Sequence, residues 1–178
     1  MQSMLKWMLM VFCLLAIPCS SGAELVGVTA LGGKVEMLAP AGFGPMPNAM
    51  LEIKYPSSRR PPEVLSNETG AVSIAFNHTQ DAMLPGQVRE AHIAISAMFH
   101  NLYPSAQWVR DEVVQQNGRD FMVLELVTPA LDTQIHNIIY GTSVDERFLL
   151  VSFNTTVELS AQWLPLGKQM MVSLSIKE

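Results

Sequence analysis

Cysteine is almost absent from this sequence, and its distribution limits the available chemistry. The two cysteines, Cys13 and Cys19, both lie in the first 23 residues. The rest of the chain therefore has no disulfide, no thiol nucleophile and no thiolate metal ligand, whatever the redox state of its compartment. Its stability must come from a packed core, for which the 49% of apolar residues are sufficient.

Charge is also sparse, and it is mainly negative. The chain has 11 Lys and Arg against 16 Asp and Glu, a net charge of −5, and its only basic pair is Arg59-Arg60. Phosphate recognition needs clustered cations, so this composition argues against nucleic acid as the main partner. No low-complexity segment or internal repeat interrupts the chain. We therefore predict a single domain over residues 24–178.

The first 23 residues have the pattern of an export signal. One cation, Lys6, precedes the apolar stretch Trp7–Ile17, and small residues follow up to Ala23. This order predicts a secretory signal peptide that is cleaved after Ala23. A lipid anchor on Cys19 is the alternative, but Pro18 stands where a small residue is required. We expect a periplasmic or secreted protein with no membrane attachment once the signal is removed.

Motifs for metal or nucleophilic chemistry are incomplete. No histidine pair has the H-E-x-x-H spacing of zinc proteases. His92 and His100 lie eight residues apart, about 12 Å along a helix, which is too far to chelate one ion. Gly141-Thr142-Ser143-Val144 begins like a nucleophile elbow but continues with Asp145 instead of glycine. We predict no catalytic motif, no metal site and no cofactor, and we assign the dispersed methionines to core packing.

Alternation of apolar and polar residues predicts three short strands after the signal segment. They cover Lys34–Leu38, Met50–Tyr55 and Ala71–Asn77. The third strand is expected to bury only one face, because its large apolar side chains alternate with Ser73 and Ala75.

Residues 87–102 have the clearest helical period in the chain. Apolar residues recur there at steps of three and four, which predicts one buried stripe. Prolines lie just before and just after the segment, as start and stop signals do. The stripe consists of Val88, Ala91, Ile95, Met98 and Leu102.

The second half of the chain predicts two β-hairpins. Asn-Gly between alternating segments is the strongest short-range signal for such a turn. Phe121–Leu124 and Phe148–Val151 are apolar on both faces, so we expect them to be central strands. The hairpins join Trp108–Gln115 to Asp120–Thr128 through Asn117-Gly118, and Thr133–Gly141 to Arg147–Asn154 near Asp145-Glu146.

A closing helix is predicted within residues 157–176. Leu164, Met171 and Leu174 have helical spacing, and Pro165 interrupts the middle. We favour a short turn followed by a main helix with the proline in its first turn. Small strands, a long helix, an antiparallel meander and a final helix define an α+β fold with an antiparallel sheet flanked by helices.

Four features of this order carry a family resemblance. They are an early strand ending in Pro40, Gly42 and Phe43, a helix before the meander, the hairpin at Asn117–Phe121, and a last helix with Ser173. In these features residues 35–176 resemble the Mog1/PsbP-like superfamily, including its DcrB-type bacterial branch. The resemblance implies an α/β/α sandwich and a small binding, chaperone or assembly module, and it implies no catalytic motif.

Three carboxylates are candidates for acid or base groups. Asp111 and Glu112 are neighbours in sequence and point to opposite faces of a strand, so they cannot act as a pair. Glu125 lies in an apolar strand, where a carboxylate needs a partner or a raised pKa. We favour an edge or solvent-facing position for it. An enzyme with Glu125, Asp111 or His136 in a cleft is the alternative to a binding protein.

Two loops are richest in residue types that form protein interfaces. Aromatic, flexible apolar and arginine side chains are enriched at such surfaces. The opposing interpretation is that the phenylalanine folds onto the core and the arginines are solvated. We predict a non-enzymatic module of the bacterial envelope that binds another protein, either as an inhibitor or immunity-type protein or as an assembly factor. The candidate binding residues are Phe43, Met46, Tyr55, Arg59 and Arg60.

Overall fold

The structure is a computed structural model that describes residues 23–56 and 60–177. The predicted signal segment therefore lies outside the described residues, except for Ala23. Within them, ten strands form two antiparallel sheets. The strands are β1 (Leu25–Ala30), β2 (Val35–Pro40), β3 (Gly44–Pro45), β4 (Glu63–Ser66), β5 (Val72–Ala82), β6 (Gln107–Gln116), β7 (Arg119–Pro129), β8 (Gln134–Val144), β9 (Arg147–Thr156) and β10 (Ser175–Ile176).

The larger sheet has seven strands in the order β3-β4-β5-β9-β8-β7-β6. The smaller sheet has the order β1-β2-β10. Three helices pack on the strands in the described part of the chain. They are α1 (Asn48–Lys54), α2 (Val88–Leu102) and α3 (Ser160–Ser173).

Both predicted hairpins are confirmed. Asn117 and Gly118 have φ of 51° and 76°, and they connect β6 to β7 with Gln116 opposite Arg119. Asp145 and Glu146 also have positive φ and connect β8 to β9. Two consecutive positive φ values give a turn whose twist matches that of the strands it joins.

Each face of the larger sheet is covered by different elements. Phe121 and Val123 of β7 pack with Met170 of α3 and with β2 of the smaller sheet. Met122 and Leu124, which alternate with them, pack with the inner side of α2. The predicted antiparallel sheet flanked by helices is therefore confirmed, and the layers form an α/β/α sandwich.

The predicted strand at Met50–Tyr55 is wrong, because these residues belong to α1 and the start of the following loop. Pro47 precedes the first turn of the helix, a position where the fixed φ of proline is compatible with helix entry. Met50 and Leu51 pack on the cluster that includes Val64. A six-residue alternation cannot distinguish a short strand from a short helix that covers a sheet.

The helix α1 also changes the surroundings of β5. The strand was predicted to bury one face, yet Ser73 and Ala75 are buried as completely as Ile74 and Phe76. Ala75 lies under α1 in the same cluster as Val64. The prediction of a half-buried strand is wrong because the covering helix was itself missed.

The helix predicted at residues 87–102 is confirmed as α2, but its buried stripe is rotated. Met98 and Leu102, predicted to be buried, are 48% and 60% exposed. Phe99 and Tyr103 pack against the sheet instead. Periodicity finds a helix reliably but places its buried side poorly when apolar residues occur on several sides.

The closing helix is confirmed, although it starts earlier than expected. A 3₁₀ turn at Val157–Leu159 leads into α3, which continues through Pro165 instead of restarting there. Met171 and Leu174 are fully buried, as their spacing predicts. Ser173 Oγ accepts a hydrogen bond from the backbone N–H of Leu38 at 2.8 Å, which ties the end of α3 to β2.

Candidate functional site

The five residues predicted to bind a partner do not share one surface in the structure. Met46 is buried beneath α1, and Tyr55 is half-buried in the same cluster. Phe43 packs on the opposite core, with its ring centroid 5.5 Å from that of Trp163. Arg60 is exposed, and Arg59 lies outside the described residues. The binding role of these residues stays a prediction.

A half-buried lysine lies beside the apolar cluster that contains Met46 and Tyr55. Lys54 Nζ donates hydrogen bonds to the carbonyl oxygen of Gly70 at 2.6 Å and to Ser73 Oγ at 3.1 Å. Burial lowers the pKa of Lys54 to about 8. Burial raises the pKa of Tyr55, and the Ser73 hydroxyl opposes part of that shift. The environment under the C-terminal turn of α1 therefore favours neutral side chains.

A polar cluster joins α2 to β6. Asp111 of β6 accepts hydrogen bonds from His92 Nε2 at 2.6 Å, from Ser96 Oγ at 2.6 Å and from His100 Nε2 at 3.3 Å. The three donors lie at steps of four on one side of α2, so a single carboxylate can receive all of them. The ring of His100 also stacks on Trp108, with centroids 3.9 Å apart.

This cluster stabilises the packing of α2 on the sheet and does not form a nucleophilic site. Burial, the largest influence, opposes ionisation of Asp111, but the hydrogen bonds from Ser96, His92 and His100 outweigh it and lower the pKa of that carboxyl. Ser96 donates to the carboxylate and not to a histidine. Because the pKa of this carboxyl is lowered, it is too weak a base to activate the hydroxyl. The cluster holds one side of α2 to the sheet.

Glu125 was expected at an edge or facing solvent, and this prediction is wrong. Its side chain is 1% exposed, because it lies on the sheet face that α3 covers. Glu125 Oε1 accepts a hydrogen bond from His136 Nε2 at 2.9 Å and lies 3.2 Å from Lys168 Nζ of α3. These two groups are partners of one carboxylate oxygen only, because Glu125 Oε2 is buried without a hydrogen-bond partner among the described residues. The expectation that a carboxylate on a central strand needs partners is therefore met in part.

These contacts bear on the alternative of an enzyme. Glu125 and His136 are within hydrogen-bond reach of each other, as a carboxylate–histidine site would require. However, both residues are buried, at 1% and 8% exposure, so a substrate has no direct access to the pair. The contact from Lys168 of α3 to Glu125 anchors that helix over the sheet.

An apolar groove runs along the other side of α2. Its volume is about 350 Å³, and it lies between α2 and the adjoining ends of β5 and β9. Ala91, Ala94 and Ile95 form its helical wall, and Met83 and Phe148 form the opposite wall. The small side chains of Ala91 and Ala94 on the helix leave this space open to solvent.

The exposed apolar side chains of α2 extend the groove. Ala94 lines both the groove and a shallower depression that continues past Ala97 and Met98 to Leu102. At about 100° per residue, these positions lie on one side of the helix, roughly opposite the side that carries His92 and His100. We call the whole surface from Ala91 to Leu102, with Met83 and Phe148, the α2 groove.

Sequence reasoning missed the α2 groove because it assigned Met98 and Leu102 to the core. One signal was present, since Phe99 and Tyr103, the residue that follows α2, form a second apolar side. A helix with apolar residues on two sides can bury only one of them against its own sheet.

Two further features concern the described residues only. Within residues 23–56 and 60–177, no three His, Cys, Asp or Glu side chains converge in a way that would hold a metal ion. A membrane-crossing helix, which needs a long apolar stretch, does not occur in the part of the chain that the structure describes.

Comparison with known proteins identifies the fold. No protein-family model and no curated protein sequence matches the chain. Among solved structures, cyanobacterial PsbP (CyanoP) from Synechocystis sp. PCC 6803 matches with a TM-score of 0.60 and 11% identity, over 87% of this chain and 94% of that protein.

Two more solved structures agree with this assignment. The Ran-binding protein Mog1p of Saccharomyces cerevisiae matches with a TM-score of 0.50 and 13% identity, over 86% of this chain and 96% of its own. LpqN of Mycobacterium tuberculosis matches with a TM-score of 0.51 and 10% identity, over 87% and 91%. The seven-stranded sheet between two helical layers is therefore a Mog1/PsbP-like fold.

Proposed function

We propose that the chain is an exported, non-enzymatic protein-binding module of the bacterial envelope, and that it binds its partner through the α2 groove. The observation that carries this proposal is the pair of exposed apolar side chains, Met98 and Leu102, on the side of α2 that also forms the groove. Contiguous exposed apolar surface of this kind is typical of a protein interaction site.

The structural neighbours support a binding role without naming a partner. Mog1p is described as a Ran-binding protein, and LpqN is described as involved in cell envelope biogenesis. The export pattern of residues 1–23 supports the envelope location. Both versions of the function remain open, namely an inhibitor or immunity-type protein and an assembly factor.

The arrangement of α2 supports an interface on a rigid support. The hydrogen bonds to Asp111 hold one side of the helix to β6. Phe99 and Tyr103 pack the adjacent side against the apolar core under the helix. A helix held on two sides keeps its remaining side in place, which reduces the ordering cost of binding. The Glu125–His136 pair offers no comparable surface to a partner, because both side chains are buried.

The test places a photo-crosslinking amino acid at position 98 in the exported protein. We expect a discrete adduct with one envelope or secreted protein, and its identity distinguishes an inhibitor from an assembly factor. The matched control position is Val172 of α3, which is 60% exposed on the opposite side of the sandwich.

Leu102→Glu should abolish the adduct at position 98, because a charge would enter the apolar surface. Val172→Glu should leave that adduct unchanged. Equal adducts from positions 98 and 172, or none from position 98, would overturn the proposal.

A further inference from the structure

We infer that the α2 groove receives a cationic amphipathic helix of the partner, with apolar side chains inserted into the groove and Lys or Arg side chains at its acidic rim. This inference rests on the proposed function and adds the chemistry of the partner. It depends on the shape of the groove, on its length and on the charges beside it.

The shape of the groove fits large apolar side chains. Met83 and Phe148 line one wall, while Ala91 and Ala94 leave space on the other. A thioether and an aromatic ring adapt to varied apolar partners. The small helical side chains let a partner backbone approach α2 closely, so inserted side chains reach the floor of the groove.

The length of the groove fits a helix and not a single side chain. From Ala91 to Leu102 the surface follows α2 over twelve residues, which is a rise of about 16 Å or three turns. A partner helix of that length presents anchors at i, i+3 or i+4, and i+7, which is how amphipathic helices bind in grooves.

The charge at the rim selects a cationic partner. Asp81 and Glu90 line the groove, both are exposed, and within the described residues neither forms a salt bridge. The nearest cation in the sequence, Arg89, lies 3.6 Å from Asp120 and so points to a different neighbour. The whole chain is also acidic, with a net charge of −5. Complementary charges at an interface rim steer association and exclude like-charged partners.

The same charges disfavour two other occupants. A second copy of this chain, docked groove to groove by two-fold symmetry, would place two acidic rims within one interface. An anionic membrane surface would meet the same repulsion. A cationic helix meets neither obstacle.

The probes are two fluorescein-labelled synthetic peptides of about 18 residues with the same leucine face and helical length. One peptide carries lysines beside the leucines, and the other carries glutamates at the same positions. Fluorescence anisotropy with the chain that begins at Glu24 is measured at about 50 and about 300 mM NaCl. We expect the lysine peptide to bind at least about tenfold more tightly at low salt, and to lose most of this preference at high salt.

Protein variants separate the groove from the rim. Ala94→Gln, at an exposed helical position, should weaken both peptides by blocking the groove. Asp81→Asn combined with Glu90→Gln should remove the preference for the lysine peptide. The control combination, Glu52→Gln with Asp132→Asn, makes the same charge change at exposed positions away from the groove and should keep the preference.

The outcomes distinguish the inference from the proposed function. If position 98 gives its adduct but the two peptides bind equally, or the rim variant keeps the preference, the cationic partner is wrong and the binding role stands. If position 98 gives no adduct, the proposed function falls. A concentration-dependent dimer that Ala94→Gln disrupts would overturn the inference in favour of a second copy.

Discussion

At the residue scale, Asp111 joins α2 to β6 on the side of the helix away from the groove. Its carboxylate accepts hydrogen bonds from His92, Ser96 and His100. We predict that Asp111→Asn lowers the free energy of unfolding at pH 7 by about 1–2 kcal/mol. The reason is that two charged carboxylate oxygens, which accept these hydrogen bonds, are replaced by one neutral amide oxygen.

The pH dependence of that loss has a definite sign. The pKa of Asp111 is lower in the folded state than in the unfolded chain. Its stabilisation is therefore present above the unfolded pKa and is lost as pH falls through the folded pKa. Urea unfolding at pH 7 and at about pH 3 should show the difference between wild type and Asp111→Asn shrinking at the lower pH. Asp132→Asn, at an exposed turn, is the control, and an equal effect from it would contradict the role of the cluster.

Lys54 gives a second prediction at the residue scale, in the alkaline range. Burial lowers the pKa of Lys54 to about 8, so the unfolded state binds more protons than the folded state above that pH. Stability should therefore rise with pH between about 8 and 9.5. Above about pH 10 the raised pKa of Tyr55 acts in the opposite direction, because the unfolded chain then loses its tyrosine proton first.

Chemical unfolding across this range measures the slope. In Lys54→Met the rise between about pH 8 and 9.5 should disappear. Lys177→Met, which removes an exposed lysine, should keep the rise. A rise that persists in Lys54→Met would show that another group causes it.

At the element scale, the turn between β6 and β7 controls the antiparallel meander. Gly118 has φ of 76°, and an added Cβ would meet no atom within 4 Å, so only the backbone conformation disfavours a side chain. We predict that Gly118→Val costs about 1–3 kcal/mol, because a β-branched residue strongly disfavours this region. Thermal unfolding should show a melting temperature several degrees lower.

The control for this turn is Gly44→Val. Gly44 lies in β3 with open space around its Cα and without a left-handed φ. A β-branched residue is therefore tolerated there. If the two variants melt alike, the backbone argument for the turn fails.

At the scale of the whole molecule, we predict that export separates the chain into a signal and a cysteine-free protein. Both cysteines precede Ala23. We predict that the exported protein begins at Glu24, since the small residues before it form the cleavage site. Intact mass spectrometry should give the mass of residues 24–178 with no free thiol, and a lipid-modified Cys19 would contradict this processing.

The sequence by itself determined the two β-turns and the helix α2. It also determined the order of strands and helices that defines the α+β fold. Asn117-Gly118 and the run of apolar steps in residues 87–102 act through contacts within a few residues, so their structures follow from local chemistry. The resemblance to the Mog1/PsbP-like superfamily drew on the same features, and the solved structures confirm that fold.

Only the tertiary structure decided the form of residues 48–54, the burial of Glu125 and the exposed side of α2. The short helix α1 is stabilised by packing on β4 and β5, which its own sequence does not contain. Glu125 is buried because α3 brings Lys168 to it from 43 positions later in the chain. His92 and His100 contact Asp111 of β6, and Met98, on another side of the same helix, is exposed. Each outcome depends on contacts between residues far apart in sequence, which local periodicity does not encode.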